Sequence, residues 1–357
     1  MKNQLLKGAV KVASLGLRRN QKTNRILVVA TTALGDTLWA TPALENLRQS
    51  FPNSYLAVLT SPIGMEILEH NPSIDRLYLL TEPMLFSFFS LWKKLYQERF
   101  DTVLIFHASQ RLIFPLCALL GAEQIVGTGG INKGLDCFLT HPLPNRAEHE
   151  IVRRLQIAEK IGASTSSQTL SFFLQPEEKK AAQLPPSSKI RIAIHPGSKD
   201  AFKRWPQENF TRLGQRLKES LPCDIFITGN AAEKDLMQKT ARQIPGAEIY
   251  QTQGSLRSFA ALLEQMDLLI SNDTGPVHLA CALNRPVIAL YSSTNPHLCG
   301  PHKAKNAIAL YKPPTCSPCL KRLCKEPFCF LQFGPEEVLN ASLKLLTDSK
   351  IPLKQFS

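Results

Sequence analysis

Gly35 and Asp36 follow directly on a short apolar run that ends at Ala30. A carboxylate in such a position can take a proton from an attacking hydroxyl group, which is general base catalysis. The glycine allows a ligand to approach the backbone closely. Asp36 could instead only cap the helix that follows it. The stretch lacks the Gly-x-Gly-x-x-Gly pattern, so it gives weak support to a nicotinamide or flavin site.

A basic loop between residues 195 and 206 separates a predicted strand from a predicted helix. Its polar and cationic side chains are Ser198, Lys199, Lys203 and Arg204. Cations beside a helix N-terminus suit phosphate binding, and they could neutralise a departing diphosphate. The alternative is an ordinary solvated loop in which Trp205 packs on the next helix.

A third polar stretch follows the apolar run that ends at Ser271. Its members are Asn272, Asp273, Thr274, Gly275, Pro276 and His278. The first four predict a turn, and proline is favourable at the start of a helix. A helix N-terminus at the carboxyl end of a parallel strand is a common anion site, so this stretch is predicted to hold a nucleotide diphosphate. Asp273 and Thr274 could instead only cap the helix, and His278 could be a buried histidine.

The elements that would position these residues alternate between strand and helix along the whole chain. Strands are predicted at 25–30, 55–59, 76–80, 102–106, 124–127, 190–194, 223–228 and 287–291, with another running up to Ser271. Residues 175–189 are rich in proline, serine and charge, which predicts a linker. The predicted fold class is therefore α/β, with two Rossmann-like domains, 25–174 and 190–357, facing a cleft.

The composition is that of a globular protein with excess positive charge. The 357 residues are 44% hydrophobic and 20% charged, and the formal net charge is +13. Such a balance favours an anionic partner, either nucleic acid, an anionic membrane surface or a phosphorylated substrate, although general surface charge would look the same.

The basic bias is strongest at the start of the chain. Seven Lys or Arg and no acidic residue precede Ile26, and apolar residues recur at helical spacing. Residues 1–24 therefore predict a basic amphipathic surface segment, the alternative being a solvated tail. No apolar run reaches the ~18 residues of a transmembrane helix. The expected location is cytoplasmic, either free or peripheral on an inner membrane.

The apolar stretch 84–92 also bears on whether the protein contacts a membrane. Its aromatic residues Phe86, Phe88, Phe89 and Trp92 suit a helix packed in the core, which is the interpretation preferred here. Contact with the membrane that anchors an acceptor is the alternative.

Taken together and in this order, the polar stretches resemble the heptosyltransferase family of lipopolysaccharide core biosynthesis, glycosyltransferase family 9. The segments that carry the resemblance are 25–29, 33–36 and 41–44; 195–198 and 203–206; 254–256 with Phe259; and 271–279. The resemblance covers about residues 26 to 346, nearly the whole chain. The Asn-Asp-Thr-Gly-Pro-x-His-Leu block is its most specific part.

The resemblance implies a GT-B type fold with the acceptor in the first domain and the nucleotide-sugar donor in the second. It also implies inverting transfer of heptose from ADP-heptose to a lipid-anchored acceptor, with no metal and no nucleic-acid partner. Asp36 would be the general base, and Lys203 would contact the diphosphate or the transferred sugar. The remaining donor-site residues would be Gly35, Ser198, Gly254, Asp273, Thr274, Gly275, Pro276 and His278. Catalysis would then depend on domain closure.

The residues leave other functions open. The same fold could use another nucleotide sugar or a protein acceptor. A non-catalytic nucleotide- or nucleic-acid-binding protein would also use the positive charge. The chain contains no Asp-x-Asp sequence of the kind that bridges a metal to a diphosphate in other glycosyltransferases.

A compact cysteine group lies near the end of the chain. Its members, at C-x2-C-x4-C-x4-C spacing, are Cys316, Cys319, Cys324 and Cys329. Four thiolates can bind zinc tetrahedrally, but zinc sites usually separate two cysteine pairs by a dozen or more residues. Zinc, an iron–sulfur cluster and structural thiols therefore all remain open here.

Overall fold

The computed structural model describes residues 24–81, 83–251, 254–314 and 328–349, together with Gln4, Gly8 and Val10. The chain divides into two compact units, Met1–Gln168 and Thr169–Ser357. Most of the predicted basic segment, 1–24, lies outside the described residues. Among them, no helix is long and apolar enough to cross a membrane.

The first unit is built on a parallel six-stranded sheet of order β3-β2-β1-β4-β5-β6. Its strands are β1 (Arg25–Ala30), β2 (Tyr55–Thr60), β3 (Arg76–Leu79), β4 (Thr102–His107), β5 (Gln124–Thr128) and β6 (His141–Leu143). Its helices are α1 (Leu34–Leu38), α2 (Thr41–Ser50), α3 (Pro62–Leu68), α4 (Met84–Gln97), α5 (Ile113–Ala118) and α6 (Glu150–Glu159).

The second unit repeats this plan with the order β12-β11-β10-β7-β8-β9, again with parallel pairing. Its strands are β7 (Ile190–His195), β8 (Cys223–Gly229), β9 (Glu248–Gln251), β10 (Leu268–Asn272), β11 (Val287–Tyr291) and β12 (Ala307–Tyr311). Its helices are α7 (Pro176–Ala181), α8 (Gln207–Ser220), α9 (Lys234–Arg242), α10 (Leu256–Leu263), α11 (Gly275–Ala282), α12 (Pro296–Cys299) and α13 (Pro335–Asp348).

The central strands of both sheets are mostly apolar, with few polar residues between their ends, because helices cover both faces of a parallel sheet. All five residues of β10 and of β11 are buried. Both sheets have the Rossmann strand order, in which the chain reverses direction across the sheet between the first and fourth strands. This switch point lies between β1 and β4 in the first unit and between β7 and β10 in the second. The predicted pair of Rossmann-like units is confirmed.

Three strands were missed by the sequence interpretation: β6, β9 and β12. Each lies at an edge of its sheet. An edge strand has one neighbour and is less buried, so its apolar signal is weaker. In β6, with the sequence His-Pro-Leu, a proline also removes one backbone donor.

The predicted linker, 175–189, contains a short helix in the structure. Residues 176–181 form helix α7, whose Glu178 Oε2 accepts a hydrogen bond from Arg257 Nη2 at 2.8 Å. The same nitrogen donates to the carbonyl of Phe173 at 2.6 Å. Because Arg257 lies in α10, these bonds attach α7 to the second unit.

The expectation that all four aromatic residues of α4 lie in the core is wrong for Phe86 and Phe89. Phe88 and Trp92 pack against the buried cluster of the first unit, but Phe86 is 85% and Phe89 78% exposed. The buried face of α4 is formed by Met84, Leu91 and Leu95. Their spacing of seven and four residues turns Phe86 and Phe89 towards the opposite side of the helix.

Candidate active site

Asp36 lies in the first turn of α1, just beyond the carboxyl end of β1. The residue that caps this helix is Ala33, so Asp36 is not the cap residue. Its Oδ1 accepts a hydrogen bond from Nη2 of Arg154 at 3.2 Å, and its side chain is 23% exposed. No described residue bonds the other oxygen, Oδ2, which leaves it available to an incoming hydroxyl group.

Arg154, in α6, was missed by the sequence interpretation. Its side chain is fully buried, and Nη1 donates to the carbonyl and carboxylate oxygens of Glu150 at 2.8 and 2.7 Å. Its guanidinium carbon lies 5.5 Å from the ring centroid of Trp39. A buried cation held by several partners has little freedom, so Arg154 orients the Asp36 carboxylate. The sequence feature that could have identified Arg154 is the presence of a cation on the apolar face of a helix, between Ile151 and Ala158.

His107 ends β4, the strand next to β1, and was also missed. Burial lowers the pKa of His107 below its usual value, and the nearby Asp36 carboxylate only partly opposes this shift. The imidazole is therefore neutral at pH 7. Its Nδ1 is buried and has no hydrogen-bond partner among the described residues.

In the second unit, Asn272, the last residue of β10, binds the loop that follows the neighbouring strand β7. Its Oδ1 accepts from the backbone N–H of Trp205 at 2.9 Å, and its Nδ2 donates to the carbonyls of Pro196 and Gly197 at 2.9 and 3.2 Å. All these atoms are buried. The side chain thus sets the position of the basic loop relative to the end of β10.

Replacing Asn272 with alanine should lower the free energy of unfolding by at least about 1–3 kcal/mol, because buried backbone groups would lose their partner. Urea unfolding measures the effect. Asn306→Ala is the matched control, since its amide donates to the carbonyl of Asn284 at an exposed position where water can replace it. Its expected loss is below about 1 kcal/mol. Equal losses in the two variants would contradict the structural role of Asn272.

Lys203 and Asp273 form a direct ion pair, with 2.7 Å between Nζ and Oδ2. The hydroxyl of Thr294 also donates to this oxygen. Asp273 is buried and Lys203 is partly exposed, so the ammonium group is held at the surface of the site with two protons left for a ligand. Arg204, a further cation of the loop, donates to the carbonyl of Ser198 at 2.8 and 2.5 Å, so it stabilises the loop.

The remaining predicted donor residues fall into two groups. Thr274 is the N-cap of α11, Gly275 and Pro276 form its first turn, and His278 is buried one turn further on. Gly254 follows β9, two strands away from β7, and adopts a left-handed backbone with φ of 83°.

Trp205 packs on the helix that follows the basic loop, as the sequence suggested. Its ring is buried edge-on against Phe210, with centroids 4.8 Å apart, as in a hydrophobic staple at the start of α8.

Glu233 lies under the loop that follows β7. A Cβ atom added to Gly197 would lie 2.1 Å from its Oε1, so a side chain at position 197 would displace the Glu233 carboxylate. Burial lowers the pKa of His195 to about 4, against the opposing effect of the Glu233 carboxylate, so this imidazole is neutral at pH 7.

Buried hydroxyl groups at the end of β11 were not singled out by the sequence. The side-chain oxygens of Ser292 and Ser293 have no partner among the described residues. They lie one strand away from β10, next in sequence to the Thr294 that binds Asp273. Unpaired buried hydroxyls beside a predicted donor site suit the polar groups of a ligand.

The cysteine group lies largely outside the described residues, which include only the buried Cys329 of its four members. The described ranges contain no group of three or more His, Cys, Asp or Glu that could hold a metal ion. The zinc interpretation of Cys316, Cys319, Cys324 and Cys329 thus stays a prediction.

Polar side chains beyond the switch points of two Rossmann-type sheets define a class of α/β proteins that bind nucleotides. Within this class, residues 88–329 match glycosyltransferase family 9 (heptosyltransferase). This match covers more than half of the chain. The protein therefore belongs to glycosyltransferase family 9 and is a glycosyltransferase. The family resemblance predicted from the sequence is confirmed.

Similarities to known proteins support this family assignment. Lipopolysaccharide heptosyltransferase 3 of Escherichia coli K12 is 25% identical over 278 residues, which are 73% of this chain and 80% of that protein. A glycosyltransferase family 9 structure from Veillonella parvula has a TM-score of 0.83 at 23% identity, covering 93% of this chain and all of that one. E. coli ADP-heptose lipopolysaccharide heptosyltransferase II has a TM-score of 0.74 at 18% identity, covering 91% and 99%.

Proposed function

We propose that the protein transfers heptose from ADP-heptose to a lipid-anchored saccharide of the lipopolysaccharide core, with inversion at the anomeric carbon. Family membership supports the reaction type, and the similarity to the two E. coli lipopolysaccharide heptosyltransferases supports the donor and the acceptor. The observation that carries the mechanism is the partly exposed Asp36 carboxylate, held through one oxygen by the buried Arg154.

In this mechanism the free oxygen of Asp36 takes the proton of an acceptor hydroxyl group. The acceptor oxygen then attacks the anomeric carbon, while the bond from that carbon to the diphosphate oxygen breaks and ADP leaves with the electron pair. A single displacement needs one base and one stabilised leaving group, and it inverts the configuration.

The leaving group would be stabilised in the second unit. Lys203 supplies a cation that Asp273 keeps in place, and the backbone N–H groups at the start of α11 favour negative charge. Thr274, Gly275 and Pro276 line this end of the helix, with His278 behind them. In this proposal the first unit binds the acceptor and the second binds the nucleotide sugar.

A screen of nucleotide sugars tests the donor. Release of ADP from ADP-heptose should exceed release of UDP or GDP from their sugars by at least about 100-fold, because a site built for one base leaves polar groups unpaired with another. Proton NMR of the product should show the anomeric configuration opposite to that of the donor. Comparable use of a UDP- or GDP-sugar, or retained configuration, would refute this part of the proposal.

A further inference from the structure

The start of α4 exposes three large apolar side chains. Leu85 is 69%, Phe86 85% and Phe89 78% exposed. Residues of this kind are normally buried, and a contiguous exposed group of them marks an interaction surface. We call these three residues the apolar tip.

Cations follow the apolar tip along the same helix. Phe86, Phe89 and Lys93 are three and four residues apart, so they share one outward face. At 1.5 Å per residue, Phe86 and Lys93 lie about 10 Å apart along the axis. Lys93 and Lys94 are exposed, and neither forms an ion pair with a described residue. The helix surface therefore changes from apolar to cationic over about two turns.

A groove of about 590 Å³ lies beside these turns. Arg76 and Lys94 contribute cations to it, and Ser87 and Ser90 contribute hydroxyl groups. Glu98, the acidic residue among its described lining, is already bound by Arg25 and by the Tyr78 hydroxyl. In the sequence, Glu82 precedes the helix, but Arg76, Lys93 and Lys94 leave the surface positive.

We propose that α4 docks on the surface of an anionic lipid bilayer. The apolar tip inserts among the acyl chains, while Lys93, Lys94 and Arg76 bind lipid phosphates. Interfacial helices bury their apolar side chains at the boundary of the acyl chains and keep their cations at the level of the lipid headgroups. This inference rests on the proposed function, because it names the surface that brings the enzyme to a lipid-anchored acceptor.

Charge argues for a bilayer over a second copy of the chain. A symmetric contact through the tip would bring two copies of Lys93 and Lys94 together, and like charges at an interface are unfavourable. The first 25 residues add seven cations and no acid, and Val10 within them belongs to the same buried cluster as Met84 and Leu91. Val10 thus packs in the unit that carries the tip.

The test is sedimentation of the full chain with vesicles that contain no saccharide acceptor. Vesicles of phosphatidylglycerol with phosphatidylethanolamine are compared with vesicles of phosphatidylcholine alone. The parent should bind the anionic vesicles, and the double variant Phe86→Ser with Phe89→Ser should bind at least about tenfold more weakly. Lys93→Glu with Lys94→Glu should reduce binding similarly, and more strongly at low salt than at high salt.

Leu331→Ser is the matched control, because Leu331 is 69% exposed in the second unit and should leave binding unchanged. Unchanged thermal unfolding of the tip variants shows that they are folded. Equal binding of parent and tip variant, equal binding to neutral vesicles, or a parent dimer that the tip variant abolishes would overturn the proposal. Because these vesicles carry no acceptor, failure here is distinct from failure of the transferase proposal, which the donor screen tests.

Discussion

Asp36→Asn should lower kcat by about 100-fold or more, the range for loss of a general base, while the affinity for ADP stays close to that of the parent. The asparagine side chain has nearly the same shape and can still accept a hydrogen bond from Arg154. It cannot take the proton of the acceptor hydroxyl group. Steady-state kinetics with saturating donor, together with ADP binding by calorimetry, measure the two quantities.

Asp75→Asn is the matched control for this change. Asp75 also pairs with an arginine, Arg48, at 2.6 Å, but it precedes β3 and so lies at the opposite end of the parallel strands. Its substitution should leave kcat within about twofold of the parent, as expected for a carboxylate that touches no substrate. Normal turnover in Asp36→Asn would remove Asp36 from the mechanism. A similar loss in both variants would point to a general effect on the fold.

Lys203→Ala should weaken use of the donor, measured as kcat/KM, by about 1.5–3 kcal/mol, which is the range for a hydrogen bond to a charged group. This corresponds to roughly 10- to 150-fold in rate. The ammonium group would be the cation nearest to the charge that develops on the departing diphosphate. Donor kinetics at a fixed acceptor concentration measure the loss.

The control for Lys203 is Lys199→Ala, an exposed lysine of the same loop with no ion pair among the described residues. It should change kcat/KM by less than about threefold, as a solvated surface charge does. Lys203→Ala also leaves the buried Asp273 without its cation, so thermal unfolding must be followed in parallel. Donor kinetics equal to those of the parent would exclude the proposed role of Lys203.

The sequence interpretation of α4 shows why burial is hard to read from a single stretch. Four aromatic residues within seven positions resemble a core segment, but only Phe88 and Trp92 pack against the core, and both are partly buried. Which two depends on how the helix rotates against the sheet, and Met84, Leu91 and Leu95 decide this by packing inwards. Phe86 and Phe89 are then left outside, where their exposure indicates a partner instead of a core.

Asp36 is identified as a candidate from the sequence, whereas Arg154 is not. Asp36 stands out in sequence because a polar residue follows a buried strand. Arg154 is 118 residues further along, and the carboxylate that its local sequence offers as a partner is Glu150, not Asp36. His107 is equally hidden, because its place beside Asp36 depends on β4 pairing with β1 and not with β3.

The sequence by itself determined the α/β class, the two repeats of strand and helix, and the three polar stretches that follow central strands. These features depend on patterns of apolar and polar residues that are close together in the sequence. Only the tertiary structure decided the strand order, which places β4 beside β1 and β10 beside β7. Lys203 and Asp273, 70 residues apart, meet because β10 lies beside β7. Arg154 and Asp36, 118 residues apart, meet because helix α6 packs against β4, the neighbour of β1.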